Sequence, residues 1–119
     1  MVRRILIVED NSSIRKMLAR KLKKTGWEIH WAKNGKEGME EAWKVKPDLI
    51  VMDMHMPIMS GHDAVRNLRK GGYEGLITAL TASATQVDID QATECGCNYF
   101  LPKPIDKHFT DHLEKMMAA

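Results

Sequence analysis

The sequence predicts an open, doubly wound α/β sheet, and three observations predict it. Short apolar runs alternate with amphipathic stretches five times along the chain. Three of the runs are apolar nearly throughout, as parallel strands covered on both faces must be. Turn residues stand where helices have to stop. Right-handed crossovers joined by short connections then leave a doubly wound sheet as the expected solution.

The elements follow in order. Ile5–Val8 is the first strand, and Asn11 is placed to cap the helix after it, whose inner face is Ile14, Met17, Leu18 and Leu22. Gly26 falls where a left-handed cap is wanted. Glu28–Trp31 is a weaker second strand, and Met39, Ala42 and Trp43 share one face of the second helix. Leu49–Met52 is the third strand, followed by a helix with Ala64, Val65 and Leu68 on its face. Leu76–Leu80 is the fourth strand. A helix over about Ala84–Cys95 offers Ile89 and Ala92 and stops at Gly96. Asn98–Leu101 is the fifth strand, and Phe109, Leu113 and Met116 line the fifth helix.

A length of 119 residues argues for one domain, taken as residues 1–119 with no output domain in the chain. No run approaches the ~20 apolar residues of a membrane span, and Ile5–Val8 is too brief for a secretory segment. No membrane partner is expected, and the cytoplasm is the expected compartment. Cys95 and Cys97 flank Gly96. A disulfide so close would be badly strained, and two thiols are too few for a zinc site, so reduced packing residues are expected. The net charge of +2 hides an asymmetry: residues 1–24 hold eight of the eighteen Lys and Arg residues against only Glu9 and Asp10. No recognition motif or aromatic interleaving accompanies this basic helix, so a docking face for an acidic protein is expected rather than nucleic-acid binding.

Open α/β sheets bind ligands at the carboxyl ends of their strands. The first strand ends in Glu9-Asp10, the third in Asp53 and the fourth in Thr81, while the fifth runs into Lys103. Three acids, a hydroxyl and an amine thus converge from four strands. Carboxylates with open water positions suit Mg²⁺. Three ionised acids are balanced by a dication and one lysine, so none is forced to hold a proton. A phosphoryl group on Asp53 would meet the metal, Lys103 and the Thr81 hydroxyl on its oxygens, the clamp that phosphoryl transfer requires. Taken singly, each residue has a plainer role: Glu9-Asp10 as helix-capping acids, Thr81 in a strand-to-helix turn, Lys103 as surface. Their joint placement favours the site.

At these residues the chain resembles the receiver domains of two-component response regulators. The matching text is ILIVEDN (Ile5–Asn11), DLIVMDMHMPIMSG (Asp48–Gly61), ALTA (Ala79–Ala82) and LPKP (Leu101–Pro104). The wording is most similar to receivers attached to hybrid histidine kinases. The resemblance implies a flavodoxin-like five-stranded parallel sheet of order 2-1-3-4-5 with five helices. It implies an acyl phosphate on Asp53, and Mg²⁺ or Mn²⁺ held by Glu9, Asp10, Asp53 and the backbone carbonyl of His55. It implies a switch in which Thr81 moves to the phosphoryl group and Phe100 turns inward. His55 and Ser83 occupy positions that tune phosphoryl lifetime, Pro57 and Gly61 shape the neighbouring loop, and the Lys103–Pro104 bond is cis in relatives.

Phe100 has no hydroxyl to desolvate, so a modest bias of the unphosphorylated ensemble towards the active-like form is expected. The implied partners are a histidine kinase or histidine phosphotransfer protein, docking through the first helix at Ile14, Asn11 and Arg15 with Lys16 and Arg20 steering, and a downstream protein target. Relatives also dimerise through the face of the fourth helix, fifth strand and fifth helix.

Other readings fit less well. An Asp-nucleophile phosphatase would carry a second acid where His55 stands. A flavin carrier would want a Gly/Ser/Thr-rich phosphate loop where Glu9-Asp10 stand, and a degenerate scaffold would not keep all five site residues. His108 and His112 are spaced i, i+4 but lack a third ligand, so exposed histidines are expected there.

Overall fold

The computed structural model describes residues 2–118 other than 57, 83, 84 and 104. Its strands are β1 (Arg4–Val8), β2 (Glu28–Ala32), β3 (Leu49–Asp53), β4 (Leu76–Thr81) and β5 (Tyr99–Pro102). Its helices are α1 (Ser12–Leu22), α2 (Gly35–Val45), α3 (Gly61–Lys70), α4 (Gln86–Cys95) and α5 (Phe109–Ala118). The strands pair in parallel in the order β2-β1-β3-β4-β5, the flavodoxin-like order that the resemblance implies.

Strand periodicity sorts the core into two layers. Ile5, Ile7, Leu49, Val51 and Leu80 face Leu18 and Leu22 of α1 and Phe109, Leu113 and Met116 of α5. Leu6, Val8, Ile50, Met52, Ile77 and Ala79 face the other way, against Ala42, Ala64, Val65, Leu68 and Ala92. Successive strand residues point to opposite faces, so Ile5–Val8 of β1 and Leu49–Met52 of β3 must be apolar to be buried on both faces. Each such fully buried aliphatic side chain contributes roughly 1.5–3 kcal/mol. Thr78 interrupts this pattern. It is fully buried, and its hydroxyl has no hydrogen-bond partner among the described residues. Thr78→Val, which keeps the shape and removes the stranded hydroxyl, is expected to raise stability by about 1 kcal/mol, read as a higher urea midpoint at unchanged slope.

The helix ends behave as their residues dictate. Asn11 Oδ1 accepts the Ile14 amide at 3.0 Å, capping α1, and Asn34, Ser60 and Thr85 cap α2, α3 and α4 in the same way. Gly96 closes α4 at φ 117°, where a Cβ would also press within 2.6 Å of the Arg69 side chain. The face of α2 departs from expectation at Trp43, which is 45% exposed. Its indole lies past the edge of the core layer and meets Tyr73 edge-on, with ring centroids 5.3 Å apart. It packs beside Gly71 and Tyr73, just after α3, instead of joining the sheet.

Arg69 forms a clamp that its own neighbourhood in the sequence does not announce. Its guanidinium donates to the carbonyls of Gly96 (3.0 Å), Tyr73 (2.7 Å) and Gly75 (2.9 Å) and to Asn98 Oδ1 (2.9 Å). Asn98 Oδ1 also accepts the Ile77 amide at 2.9 Å. One cation thus ties α3 to the starts of β4 and β5, at the edge of the sheet opposite the carboxyl ends.

Candidate functional site

Parallel register brings the strand ends level. Val8 pairs with Met52, Asp53 with Leu80, and Thr81 with Pro102, so the residues that follow emerge along one edge. Glu9 and Asp53 stand there at 0% and 1% exposure, while Asp10 is open to solvent.

Each side chain is held by local structure. Glu9 donates its amide to the Ala32 carbonyl at 3.0 Å, continuing the pairing with β2. Its own carbonyl accepts Arg15 Nη1 at 2.7 Å, and its Oε2 accepts the Asn11 amide at 3.2 Å. Asp53 Oδ1 accepts the His55 amide at 3.1 Å. Gly61, first residue of α3, lies so close that a Cβ would meet the Asp53 carbonyl oxygen and stand 2.7 Å from Met54 Cα. Only glycine lets α3 start against the end of β3. The loop between them carries Ile58 at φ 73°, a left-handed backbone that a β-branched residue rarely adopts, with its side chain 81% exposed.

The fifth strand delivers the counter-charge. Lys103 donates its amide to the Thr81 carbonyl at 2.6 Å, and its Nζ lies 3.2 Å from Glu9 Oε1 and 3.4 Å from Asp53 Oδ2. The Glu9 contact is an ion pair without hydrogen-bond alignment, and Oε1 has no hydrogen-bond partner among the described residues. Burial drives the Glu9 carboxyl up to about 7, helped by the neighbouring Asp53; the Asn11 amide and Lys103 oppose this only in part.

One carboxylate oxygen from each of Glu9, Asp10 and Asp53 lies within 4.8 Å of the others. An all-oxygen set open to solvent through Asp10, with a buried Glu9 oxygen that accepts no hydrogen bond among the described residues and a proton affinity that a dication would reverse, fits a hard divalent cation. The acids, Thr81 and Lys103 are therefore together, as expected from the strand ends.

The switch and tuning positions are partly described. Phe100 is half-buried and packs on the layer of Ala79 and Ala92, whereas Tyr99 points to the opposite layer, its hydroxyl donating to the Met116 carbonyl at 3.5 Å. His55 Nε2 lies 3.5 Å from Thr81 Oγ1. Ser83, Pro57 and the Lys103–Pro104 bond lie outside the described residues. His108 and His112 are exposed with rings 6.4 Å apart, and among the described residues no third ligand joins them.

Two neighbours were not foreseen. Arg15 spends its guanidinium on the Glu9 carbonyl, so it braces the site as well as facing outward. His62 packs edge-on to His55 with ring centroids 6.2 Å apart, and burial, then His55 and Arg66, lower its proton affinity. Arg15 stands one helical turn after Asn11, a spacing that points back to the strand end. His62 carries no such signal, because the loop folds it back onto His55.

Beside Lys103 runs a shallow, mostly apolar groove of about 440 Å³, lined by Ile14, Met17, Ala82, Lys103 and Ile105. Lys16 and Arg20 stand exposed on the same helix as Ile14.

Comparison with known proteins gives concordant matches. Residues 5–115 match the family described as response regulator receiver domain. Over 105 residues the chain is 35% identical to the chemotaxis protein CheY of Thermotoga maritima, covering 87% of this chain and 88% of that one. It is 40% identical over 109 residues to hybrid signal transduction histidine kinase G of Dictyostelium discoideum, covering 86% of this chain but only 3% of that protein. The fold matches a chain of the Saccharomyces cerevisiae co-crystal of the histidine phosphotransfer protein Ypd1 with the receiver domain of Ssk1. There the TM-score is 0.85 at 32% identity, covering 98% of this chain and 87% of that one.

Proposed function

The chain belongs to the response regulator receiver domains, the phosphorelay receivers of two-component signalling, and from that premise we propose that Asp53 is its phosphoacceptor. The observation that carries this is the buried Asp53 carboxylate with Lys103 Nζ 3.4 Å away and two further acids beside it. Such a cluster is poor as packing and good as a phosphoryl site.

In this reading Glu9, Asp10, Asp53 and the His55 carbonyl hold Mg²⁺ or Mn²⁺, which supplies positive charge to the phosphoryl oxygens. Asp53 attacks the phosphorus of a phosphohistidine; the P–N bond breaks, an acyl phosphate forms, and the imidazole leaves with a proton. Lys103 neutralises one phosphoryl oxygen, and the Thr81 hydroxyl donates to another. Thr81 and Phe100 then read out the new charge, while His55 and Ser83 tune its lifetime. The domain catalyses only its own phosphorylation and dephosphorylation.

The donor is a histidine kinase or histidine phosphotransfer protein. Support comes from the groove at Ile14, Met17 and Ile105 beside the exposed Lys16 and Arg20, which suits an apolar helix face with acidic flanks. Among the described residues no helix is long and apolar enough to cross a membrane. A cytoplasmic setting, a downstream protein target and dimerisation through α4, β5 and α5 complete the reading, with no role for nucleic acid.

The test is incubation with acetyl phosphate and Mg²⁺ followed by intact mass, repeated on Asp53→Ala. A Mg²⁺-dependent phosphoryl adduct that disappears in the variant is the expected result. No adduct, with turnover of a phosphate ester instead, would point to a phosphatase.

A further inference from the structure

Cys95 and Cys97 lie far from the acids and take no part in that chemistry. They end α4 and lead into β5, with Sγ atoms 3.9 Å apart, in contact across the Gly96 turn. Their proximity is built in. Gly96 adopts φ 117° and leaves no room for a Cβ against Arg69, whose Nε also grips the Gly96 carbonyl at 3.0 Å. A glycine-only turn clamped by an arginine therefore holds two thiols together. Both are free and buried, at 3% and 9% exposure, which shields them from another protein's thiol.

We propose that Cys95 and Cys97 form a peroxide-responsive dithiol, in which Cys95 is oxidised first and Cys97 resolves it to a reversible intramolecular disulfide. Cys95 is the better nucleophile: its hydrogen-bonded partner Cys97 draws its thiol down against the opposing effect of burial, with Arg66 helping, while Cys97 is pushed up. At rest Cys95 also donates to the Ala92 carbonyl at 3.1 Å.

The chemistry balances with hydrogen peroxide as the two-electron oxidant. The Cys95 thiolate attacks one peroxide oxygen, forming S–O and breaking O–O, and the departing hydroxide takes a proton to become water. Cys97 sulfur then attacks the sulfenic sulfur, forming S–S and breaking S–O, and a second water leaves. The i, i+2 spacing strains the product, which makes it easily reduced by a dithiol and suits a transient state. Closing it would tie the end of α4 to the start of β5, three residues before Phe100. The proposal stands independently of the chemistry at Asp53.

The test treats the reduced full chain with hydrogen peroxide at neutral pH, then unfolds, alkylates and counts thiols. Thiol counting is the readout because the chain's nine methionines also take up oxygen. Both thiols should disappear together, the chain should remain unlinked to other copies, and dithiothreitol should restore both. Cys97→Ser should accumulate a sulfenic acid trapped by dimedone at residue 95, and Cys95→Ser should stay unreactive over the same period. If both wild-type thiols remain alkylatable under conditions that oxidise the denatured chain, the proposal fails. It fails equally if the only disulfides formed link separate chains. The wild-type count decides even where a variant does not fold.

Discussion

Replacing Lys103 with methionine is expected to slow phosphoryl uptake at Asp53 by roughly 10²–10³-fold, the effect of removing one preorganised charge from a transferring group. The methionine stem fills much of the same space, so the fold should survive. What disappears is the cation 3.2 Å from Glu9 and 3.4 Å from Asp53. The two carboxylates then face each other uncompensated, and Glu9 should keep its proton to still higher pH, because Lys103 is one of the groups that lower it. Divalent metal should bind the variant at alkaline pH at least as well as the wild type, since a competing positive charge has gone. Calorimetric Mg²⁺ titration beside the acetyl phosphate rate separates the two effects. Retained metal binding with lost uptake assigns Lys103 to the transfer step. Lys103→Arg should not rescue, because a planar fork cannot replace a point charge between two oxygens. Uptake at the wild-type rate in Lys103→Met would remove Lys103 from the mechanism.

The legible parts of this molecule are those where burial acts on a repeating pattern. Ile5–Val8 of β1 and Leu49–Met52 of β3 sit between two layers and must be apolar at every position, so both runs are plain to read. The site was legible for the same reason, since a polar residue that ends such a run can only lie at the sheet edge. β2 is an edge strand whose Glu28 is exposed and whose Ile29, His30 and Trp31 are half-buried, so its pattern is weaker. Boundaries shifted where local chemistry outweighed pattern. α4 begins at Gln86 because Thr85 caps it, and β5 extends to Pro102, where an edge strand can spare the missing donor. Long-range polar contacts left no trace: Arg69 finds Gly96 and Asn98 across 27 and 29 residues, and nothing near position 69 marks them.

Glu9 carries the second large effect, a dependence of stability on pH in metal-free protein. Its carboxyl is raised from 4.5 to about 7 in the folded state, chiefly by burial. The unfolded chain releases this proton near the lower value, and the folded chain holds it until the higher one. Across that window the folded state binds more protons, so stability falls as pH rises from 4.5 to 7 and levels off above. The loss is on the order of 3 kcal/mol, which lowers Tm by roughly 10–15 °C for a domain of this size. Other carboxylates contribute to the raw curve, so the informative quantity is the difference from Glu9→Gln, which cannot ionise and should lack this decline. Divalent metal displaces the same proton. Mg²⁺ should therefore raise the wild-type Tm strongly at pH 8 and weakly at pH 5, and Glu9→Gln should lose most of that contrast. Parallel pH curves for wild type and Glu9→Gln would mean that Glu9 ionises as an ordinary carboxylate. The acid cluster would then need no cation to balance it, and the case for a metal at Asp53 would lose its electrostatic ground.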